Sequence, residues 1–366
     1  MAKSRKFADL LDRYQKQKST YEGLSKTAES ILLNLLHKEN IPIVSVSSRV
    51  KTSESLTEKQ RRKRYKNPAQ EITDIIGLRV ITYTEDDAKL VCALVTGTFL
   101  TDASLSIDKG ERLKVDQIGY RSYHFVCELG KKRVELPEFQ AFKGLRFEVQ
   151  VRTVLQHAWA EVEHDRNYKF SGILPAALQR RLFLISGVLE MGDRELNQLS
   201  RDIDSYASGV EARAREGKLR EEELNSTTIR ALLREISKAL KKTKIQFDAD
   251  PDTLAEVIDE CGILGIKTTT DLKALFTPEL LSAVDEFEES TNEAGLSRDA
   301  LMNWDMKGYF ERAWQKHWTG FDQSAFNMLS KKYGVAKVRA LLEKFNLEVE
   351  DSDFFDGAAF DIETRE

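Results

Sequence analysis

The sequence predicts two folded parts: an α+β domain with a mixed β-sheet flanked by helices, followed by a smaller all-α domain. Three observations lead to this prediction. Apolar and polar residues alternate, as in half-buried strands, at several places within residues 42–153. Helical spacing takes over from Val154 to about Arg220. After a charged and polar stretch at 215–228, the remaining segments are short and helical.

The elements of the first 200 residues are predicted in order from their periodicity. Apolar residues at helical spacing predict one or two helices within residues 7–38. A basic helix over 53–67 is stopped by Pro68, and a helix over 85–99 begins with acidic residues that suit a helix N-terminus. Strands are predicted at 42–50, 78–84, 121–129 and 145–153.

These elements predict a domain organisation for the 366 residues, a length that suits two or three domains. The predicted regions are an N-terminal helical segment at 1–40, the α+β domain at 41–215, a helical C-terminal domain at 226–348 and an acidic tail at 349–366. Glycine, proline or aspartate separates the short helices of the C-terminal domain.

The net charge of −4 is divided unevenly along the chain. Residues 1–200 contain 33 Lys+Arg and 26 Asp+Glu, or +7, whereas residues 201–366 contain 23 and 34, or −11. A basic first part suits a polyanionic substrate such as a nucleotide. The charge is too small to require nucleic acid.

No feature of the sequence predicts a membrane or secreted protein. The longest apolar run, Leu90 to Leu100, is too short to span a bilayer, and the first residues lack the apolar region of a signal peptide. Cys92, Cys127 and Cys261 are far apart and match no metal-ligand spacing. We therefore expect free thiols and a cytoplasmic protein.

Polar side chains are concentrated on the last predicted strand. Glu148, Gln150 and Arg152 share one face of this strand, because side chains alternate between the two faces. Their apolar neighbours face the other way. Taken alone, this pattern fits either a functional site or a solvated sheet face.

Four motifs together resemble the RelA/SpoT-type synthetases of the alarmone (p)ppGpp, and most closely the small synthetases. They are SRVKTSESLTEKQRRK (48–63), DIIGLRV (74–80), IGYRSYHF (118–125) and EVQVRTVLQHAWAEVEHDRNYK (148–169). Their order and spacing are similar to those of the family, and the resemblance covers roughly residues 40–200. It implies the nucleotidyltransferase-like synthetase fold for this part of the chain.

The resemblance also implies a reaction, the transfer of pyrophosphate from ATP to the ribose 3′-hydroxyl of GTP or GDP with release of AMP. Such transfer depends mainly on positioning and charge stabilisation. By resemblance, Asp74 and Glu148 are the catalytic residues and hold Mg²⁺, a hard ion that prefers oxygen ligands. Glu148 is also a candidate acceptor for the hydroxyl proton.

The binding residues are likewise implied by the resemblance. The ATP-binding set is Arg49, Lys51, Ser55, Lys59, Arg61 and Arg79. The set for the acceptor nucleotide is Tyr120, His124, Gln150, Arg152 and Asn167. Arg79 would stack on adenine, Tyr120 would stack on guanine, and Asn167 would bond to the guanine edge.

One departure from the family pattern affects the acceptor. Asp116 stands where the family usually has a lysine, and Lys114 lies two residues earlier. This departure bears on the contacts to the acceptor and not on the type of reaction.

Two other functions are compatible with the sequence. One is a toxin-type relative that pyrophosphorylates tRNA 3′ ends or adenine nucleotides. The other is a catalytically silent nucleotide-binding regulator, against which Asp74 and Glu148 argue. The sequence also leaves open a homo-oligomer, and a C-terminal region (226–366) that binds a regulator or inhibits the synthetase part.

Overall fold

The structure, a computed structural model, describes residues 2–108, 122–169, 175–219, 221–316 and 318–350. The chain divides into two compact units, Met1–Asp202 and Ile203–Glu366. This division falls inside a helix, upstream of the polar stretch at which the sequence predicted a boundary. The four predicted regions therefore stay predictions of the domain limits.

The first unit contains the predicted helices and strands, together with several elements too short to show a period. Its helices are α1 (Ala2–Lys16), α2 (Lys18–Lys38), α3 (Ser53–Lys63), α4 (Pro68–Glu71), α5 (Glu85–Thr98), α6 (Lys131–Val134), α7 (Val154–Lys169) and the first part of α8 (Ala176–Arg215), with a 3₁₀ helix at Pro137–Phe142. Its strands are β1 (Ser45–Val50), β2 (Ile76–Thr82), β3 (Leu100–Thr101), β4 (Ile107–Asp108), β5 (Tyr123–Glu128) and β6 (Phe147–Thr153).

The strands form one mixed sheet in the order β1-β2-β6-β5-β3, with β4 also paired to β5. The central strands β2 and β6 are parallel, whereas β1 and β5 run antiparallel to their neighbours. Gly77 of β2 lies opposite Arg49 of β1 on one side and Glu148 of β6 on the other. The mixed sheet flanked by helices confirms the predicted fold class.

The apolar face of the central strands forms the core of this unit. Phe147, Val149 and Val151 of β6 are fully buried in one cluster with Leu32 of α2 and Val91 of α5. Burying such side chains contributes roughly 1.5–3 kcal/mol each. The opposite face of the same strands is left for polar groups.

Local backbone and side-chain features set the start of α5 and the end of α3. A capping box starts α5, in which Thr84 Oγ1 accepts from the N–H of Asp87 at 3.2 Å and Asp87 Oδ2 accepts from the N–H of Thr84 at 3.1 Å. The predicted helix over 53–67 is too long. It ends at Lys63 because Arg64 adopts a left-handed conformation with φ of 52°.

The second unit is mainly helical, as predicted. Its helices are α9 (Ser226–Ile236), α10 (Pro251–Ile263), α11 (Thr269–Ala274), α12 (Pro278–Phe287), α13 (Glu293–Gly308), α14 (Gln323–Tyr333) and α15 (Val335–Lys344), with a 3₁₀ turn at Ser237–Ala239 and a π-helical turn at Tyr309–Ala313. Two parallel strand pairs were not predicted. They join β7 (Lys244–Gln246) to β8 (Ser290–Asn292) and β9 (Gly320–Asp322) to β10 (Glu348–Glu350). None of the helices in the described ranges combines the length and apolar character needed to span a bilayer.

Three carboxyl groups lie near one another in the second unit, two of them buried (Glu288 and Asp299) and one exposed (Asp322). Glu288 follows α12, Asp299 lies on α13 and Asp322 ends β9. Burial raises the pKa of Glu288 to about 7, with a further contribution from the charge of Asp322. Burial and the neighbouring Glu288 raise the pKa of Asp299 well above its ordinary value. Both groups therefore favour the protonated form in the folded unit.

This cluster predicts that the second unit becomes less stable as pH rises. In this pH range the folded unit still holds protons that the unfolded chain has already released. The free energy of unfolding of the second unit should therefore fall by on the order of 1 kcal/mol or more between about pH 5 and pH 8. Glu288→Gln should reduce that fall, whereas the burial of Asp299 should keep its own contribution. Hydrogen exchange in α13, corrected for intrinsic rates, measures it. The exposed neighbour supplies the control, Glu289→Gln, and an unchanged pH dependence in Glu288→Gln would contradict the assignment.

Candidate active site

The two predicted catalytic carboxylates lie at the start of two adjacent parallel strands, Glu148 on β6 and Asp74 two residues before β2. Glu148 is the second residue of β6 and pairs with Gly77 of β2. Asp74 lies three residues before Gly77 in the sequence. Their charges affect each other, because Asp74 is among the groups that raise the pKa of Glu148. The sheet therefore brings together two groups of like charge that other residues must stabilise.

Two lysines stabilise Asp74. Lys51 Nζ donates to Asp74 Oδ2 at 2.5 Å and to its backbone carbonyl at 3.1 Å, and Lys59 Nζ donates to Oδ2 at 2.6 Å. Burial alone would raise the pKa of Asp74, but the two ammonium groups outweigh it and hold this pKa below its ordinary value. Burial also lowers the pKa of Lys51. Asp74 Oδ1 is buried and accepts no hydrogen bond from any described residue.

A chain of hydrogen bonds stabilises Glu148. Its Oε1 lies 2.8 Å from His124 Nδ1 and accepts from Gln150 Nε2 at 2.7 Å. His124 Nε2 lies 2.7 Å from Ser122 Oγ, and Arg152 Nη2 donates to Gln150 Oε1 at 2.9 Å. Burial favours a raised pKa for Glu148, but the bonds from His124 and Gln150 bring the pKa below its ordinary value. The polar face of β6 is therefore one connected network.

The histidine geometry assigns its tautomer. A carboxylate only accepts hydrogen bonds, so the His124 Nδ1 beside Glu148 carries a hydrogen. In the neutral ring, Nε2 then accepts from the Ser122 hydroxyl. Ser122 thus orients the ring that supports Glu148, a role that the sequence motif did not reveal.

A row of polar residues crosses four strands of the sheet. Ser47, Arg79, Gln150 and His124 lie opposite one another in register. Arg79 Nη1 is 3.0 Å from Glu161 Oε1 on α7. Glu161 was not predicted from the sequence, although its position one helical turn after His157 places both residues on one face of the helix.

A cavity of about 100 Å³ opens on this face of the sheet. Its lining consists of Ser47, Ser48, Arg49, Lys51, Asp74, Gly77, Leu78, Arg79 and Gln150. The absence of a side chain at Gly77 helps to keep this face open, since a Cβ built there would meet no atom within 4 Å. The space between Arg49 and Glu148 is therefore open. Small-molecule pockets usually have about 300–1,000 Å³, so a nucleotide would extend beyond this cavity.

The structure places most of the predicted site residues on this face. The cavity and the two hydrogen-bond networks include Arg49, Lys51, Lys59, Asp74, Arg79, His124, Glu148, Gln150 and Arg152. Ser55 and Arg61 are exposed on α3 and do not line the cavity. Tyr120, Lys114, Asp116 and the side chain of Asn167 lie outside the described residues.

The family match falls on the part of the chain that builds this site. Residues 48–173 match the family described as "Region found in RelA / SpoT proteins". The GTP pyrophosphokinase YjbM of Bacillus subtilis (strain 168) is 31% identical over 169 residues, which are 45% of this chain and 75% of that protein. The GTP pyrophosphokinase YwaC of the same organism is 28% identical over 176 residues, covering 47% of this chain and 80% of YwaC.

A solved structure is similar over about half of the chain. The small alarmone synthetase 1 from Bacillus subtilis aligns with 53% of this chain and 99% of its own, at 26% identity and a TM-score of 0.44. The match to YjbM and the family match at residues 48–173 confirm the resemblance of the four sequence motifs. The chain therefore belongs to the RelA/SpoT family of (p)ppGpp synthetases.

Proposed function

We propose that the chain transfers pyrophosphate from ATP to the 3′-hydroxyl of GTP or GDP. The bond between the β-phosphorus of ATP and the oxygen that bridges it to the α-phosphate breaks, and AMP leaves with that oxygen and its electron pair. A bond forms between the β-phosphorus and the 3′-oxygen, which loses its proton. The observation that carries the proposal is the pair Asp74 and Glu148, supported separately on one polar sheet face. The GTP pyrophosphokinase names of YjbM and YwaC support GTP as a substrate.

A magnesium ion fits the two carboxylates. Asp74 Oδ1 is buried without a hydrogen-bond donor among the described residues, and the open space at Gly77 lies beside Glu148. Mg²⁺ commonly binds through one or two carboxylates, with substrate phosphates and waters as further ligands. Asp74 and Glu148 would hold the ion, which when bound would supply positive charge near the transferred group.

The lowered pKa of Glu148 bears on its role. A general base works best when its pKa lies near the operating pH. The hydrogen bonds from His124 and Gln150 keep Glu148 ionised and make it a weak base. Holding positive charge is therefore its stronger role in this proposal, and accepting the hydroxyl proton is the weaker one.

The cations around the cavity suit the phosphates of ATP. Lys51 and Lys59 together carry one more charge than Asp74 neutralises, so their cluster keeps a net positive charge. Arg49 is exposed at the cavity and forms no ion pair with another described residue. Arg49 is therefore the side chain best placed to meet phosphate directly, while the lysines hold Asp74 in its ionised form.

The acceptor side rests on His124, Gln150 and Arg152. Gln150 joins Glu148 to Arg152 through its two amide atoms, so these groups are fixed relative to one another.

Stacking on Tyr120 and bonding through Asn167 remain predictions. Transfer to tRNA or to an adenine nucleotide is the alternative that the assay below separates. A cytoplasmic location and a homo-oligomer likewise remain expectations.

The reaction predicts a defined product pattern. The purified full chain with Mg²⁺ and ATP labelled at the γ-phosphate should release AMP and transfer equal amounts of label to GDP or GTP. ADP and tRNA are tested in parallel. If only tRNA or ADP gained label, that molecule would be the acceptor in place of GDP or GTP. AMP release at background with every acceptor would contradict the proposed pyrophosphokinase activity.

Carboxamide variants test the two carboxylates in this assay, and a third carboxamide variant is the control. Asp74→Asn and Glu148→Gln should each lower kcat by about 100-fold or more, which corresponds to about 2.7 kcal/mol of transition-state stabilisation. The exposed carboxylate at Glu138 gives the comparison variant, Glu138→Gln, which should keep wild-type activity.

The open space at Gly77 predicts the effect of a larger side chain. Gly77→Val should fold, because its Cβ meets no neighbour, the backbone is not left-handed and valine favours strands. The branched side chain would occupy the space beside Glu148, so we expect kcat to fall by about 100-fold. The control, Gly97→Val, changes an exposed helical glycine that also has no atom within 4 Å. Wild-type activity in folded Gly77→Val would show that substrates do not use this space.

A further inference from the structure

A second, larger cavity lies in the first unit. It has a volume of about 520 Å³ and is bordered by α1, α2, α4 and the segment just before β6. The polar residues of its lining are Arg13, Gln17, Gln70, Glu128, Lys143 and Arg146. The cavity shares no lining residue with the candidate active site. It is therefore a separate place at which a ligand could bind.

The charges of this cavity are unbalanced. Arg13, Lys143 and Arg146 face one carboxylate, Glu128, which leaves a net charge of +2. Arg146 forms two long ion pairs, from Nε to Glu128 Oε1 at 3.7 Å and from Nη2 to Asp102 Oδ2, outside the lining, at 3.9 Å, and both are too long for hydrogen bonds. Within the described ranges, the side chains of Arg13 and Lys143 form neither an ion pair nor a hydrogen bond. An anion would supply partners for Arg13 and Lys143.

The remaining lining restricts the class of anion. Gln17 Oε1 accepts from the Tyr21 hydroxyl at 3.5 Å, so its amide N–H₂ is left to donate. A volume of about 520 Å³ matches a small-molecule ligand rather than a single ion. Guanidinium and ammonium donors in such an arrangement favour phosphate oxygens. We propose that this cavity binds a small phosphate-bearing molecule with at least two anionic groups.

The cavity also borders both segments that carry the catalytic carboxylates. Ile72 and Ile75 line it on either side of Asp74, and Leu145 and Arg146 line it immediately before β6 and Glu148. A bound anion would hold these segments in place from outside the active site. Control of activity by the ligand rests on the proposed function, whereas the binding itself does not.

Inorganic tripolyphosphate is the probe that tests the site. Hydrogen exchange is measured on the full chain across a tripolyphosphate titration at constant ionic strength. We expect protection of residues 8–17 and 140–146, which border the cavity and contain none of the active-site residues. In Arg13→Ala/Lys143→Ala, the concentration for half protection should rise at least about tenfold, and more salt should weaken the wild-type response.

The control changes two other exposed cations. Lys26→Ala/Lys132→Ala removes the same charge from outside both cavities and should respond like wild type. Arg13→Gln/Lys143→Gln repeats the test with polar side chains in case the alanine variant misfolds. Absent protection in the wild type, or equal protection in folded cavity variants, would overturn the proposal. Hydrogen exchange does not depend on catalysis. Protection at the cavity can therefore be absent while AMP is released, and it can be present while no AMP is released.

Discussion

The parallel pairing of β2 with β6 is the constraint on which the candidate active site depends. Its register places Gly77 opposite Glu148 and brings Asp74 to the same edge of the sheet. A slip of one residue would turn Glu148 toward the core and expose Phe147. Because Phe147 is fully buried, the hydrophobic core sets the register, and the register sets the separation of the carboxylates.

Each carboxylate needs its own support, because Asp74, just before β2, and Glu148, on the adjacent β6, carry like charges that repel. Lys51 and Lys59 reach Asp74 from the end of β1 and from α3, whereas His124 reaches Glu148 from β5. The two supports thus come from opposite sides of the β2–β6 pair. Both lower the pKa of the group they contact and keep it ionised. This arrangement suits the binding of positive charge between the carboxylates.

The sequence predicted the parts of the site that follow from local periodicity. Alternation along β6 placed Glu148, Gln150 and Arg152 on one face, and the motifs identified Asp74. The partners of Lys51, Lys59 and Arg79 could not be read in this way, because ion pairs join residues that are distant in sequence. The unpredicted strands β7–β10 have three residues each, too few to show an alternating period. The larger cavity arises from four separate segments and leaves no motif.

The joint use of Asp74 and Glu148 for one metal ion is the central claim. Electron paramagnetic resonance of Mn²⁺ with the full chain and a non-hydrolysable ATP analogue measures it directly. Asp74→Asn and Glu148→Gln should each weaken Mn²⁺ binding by at least about tenfold, while the exposed control Glu138→Gln should leave it unchanged. Wild-type Mn²⁺ affinity in either of the two carboxamide variants would contradict a shared metal site.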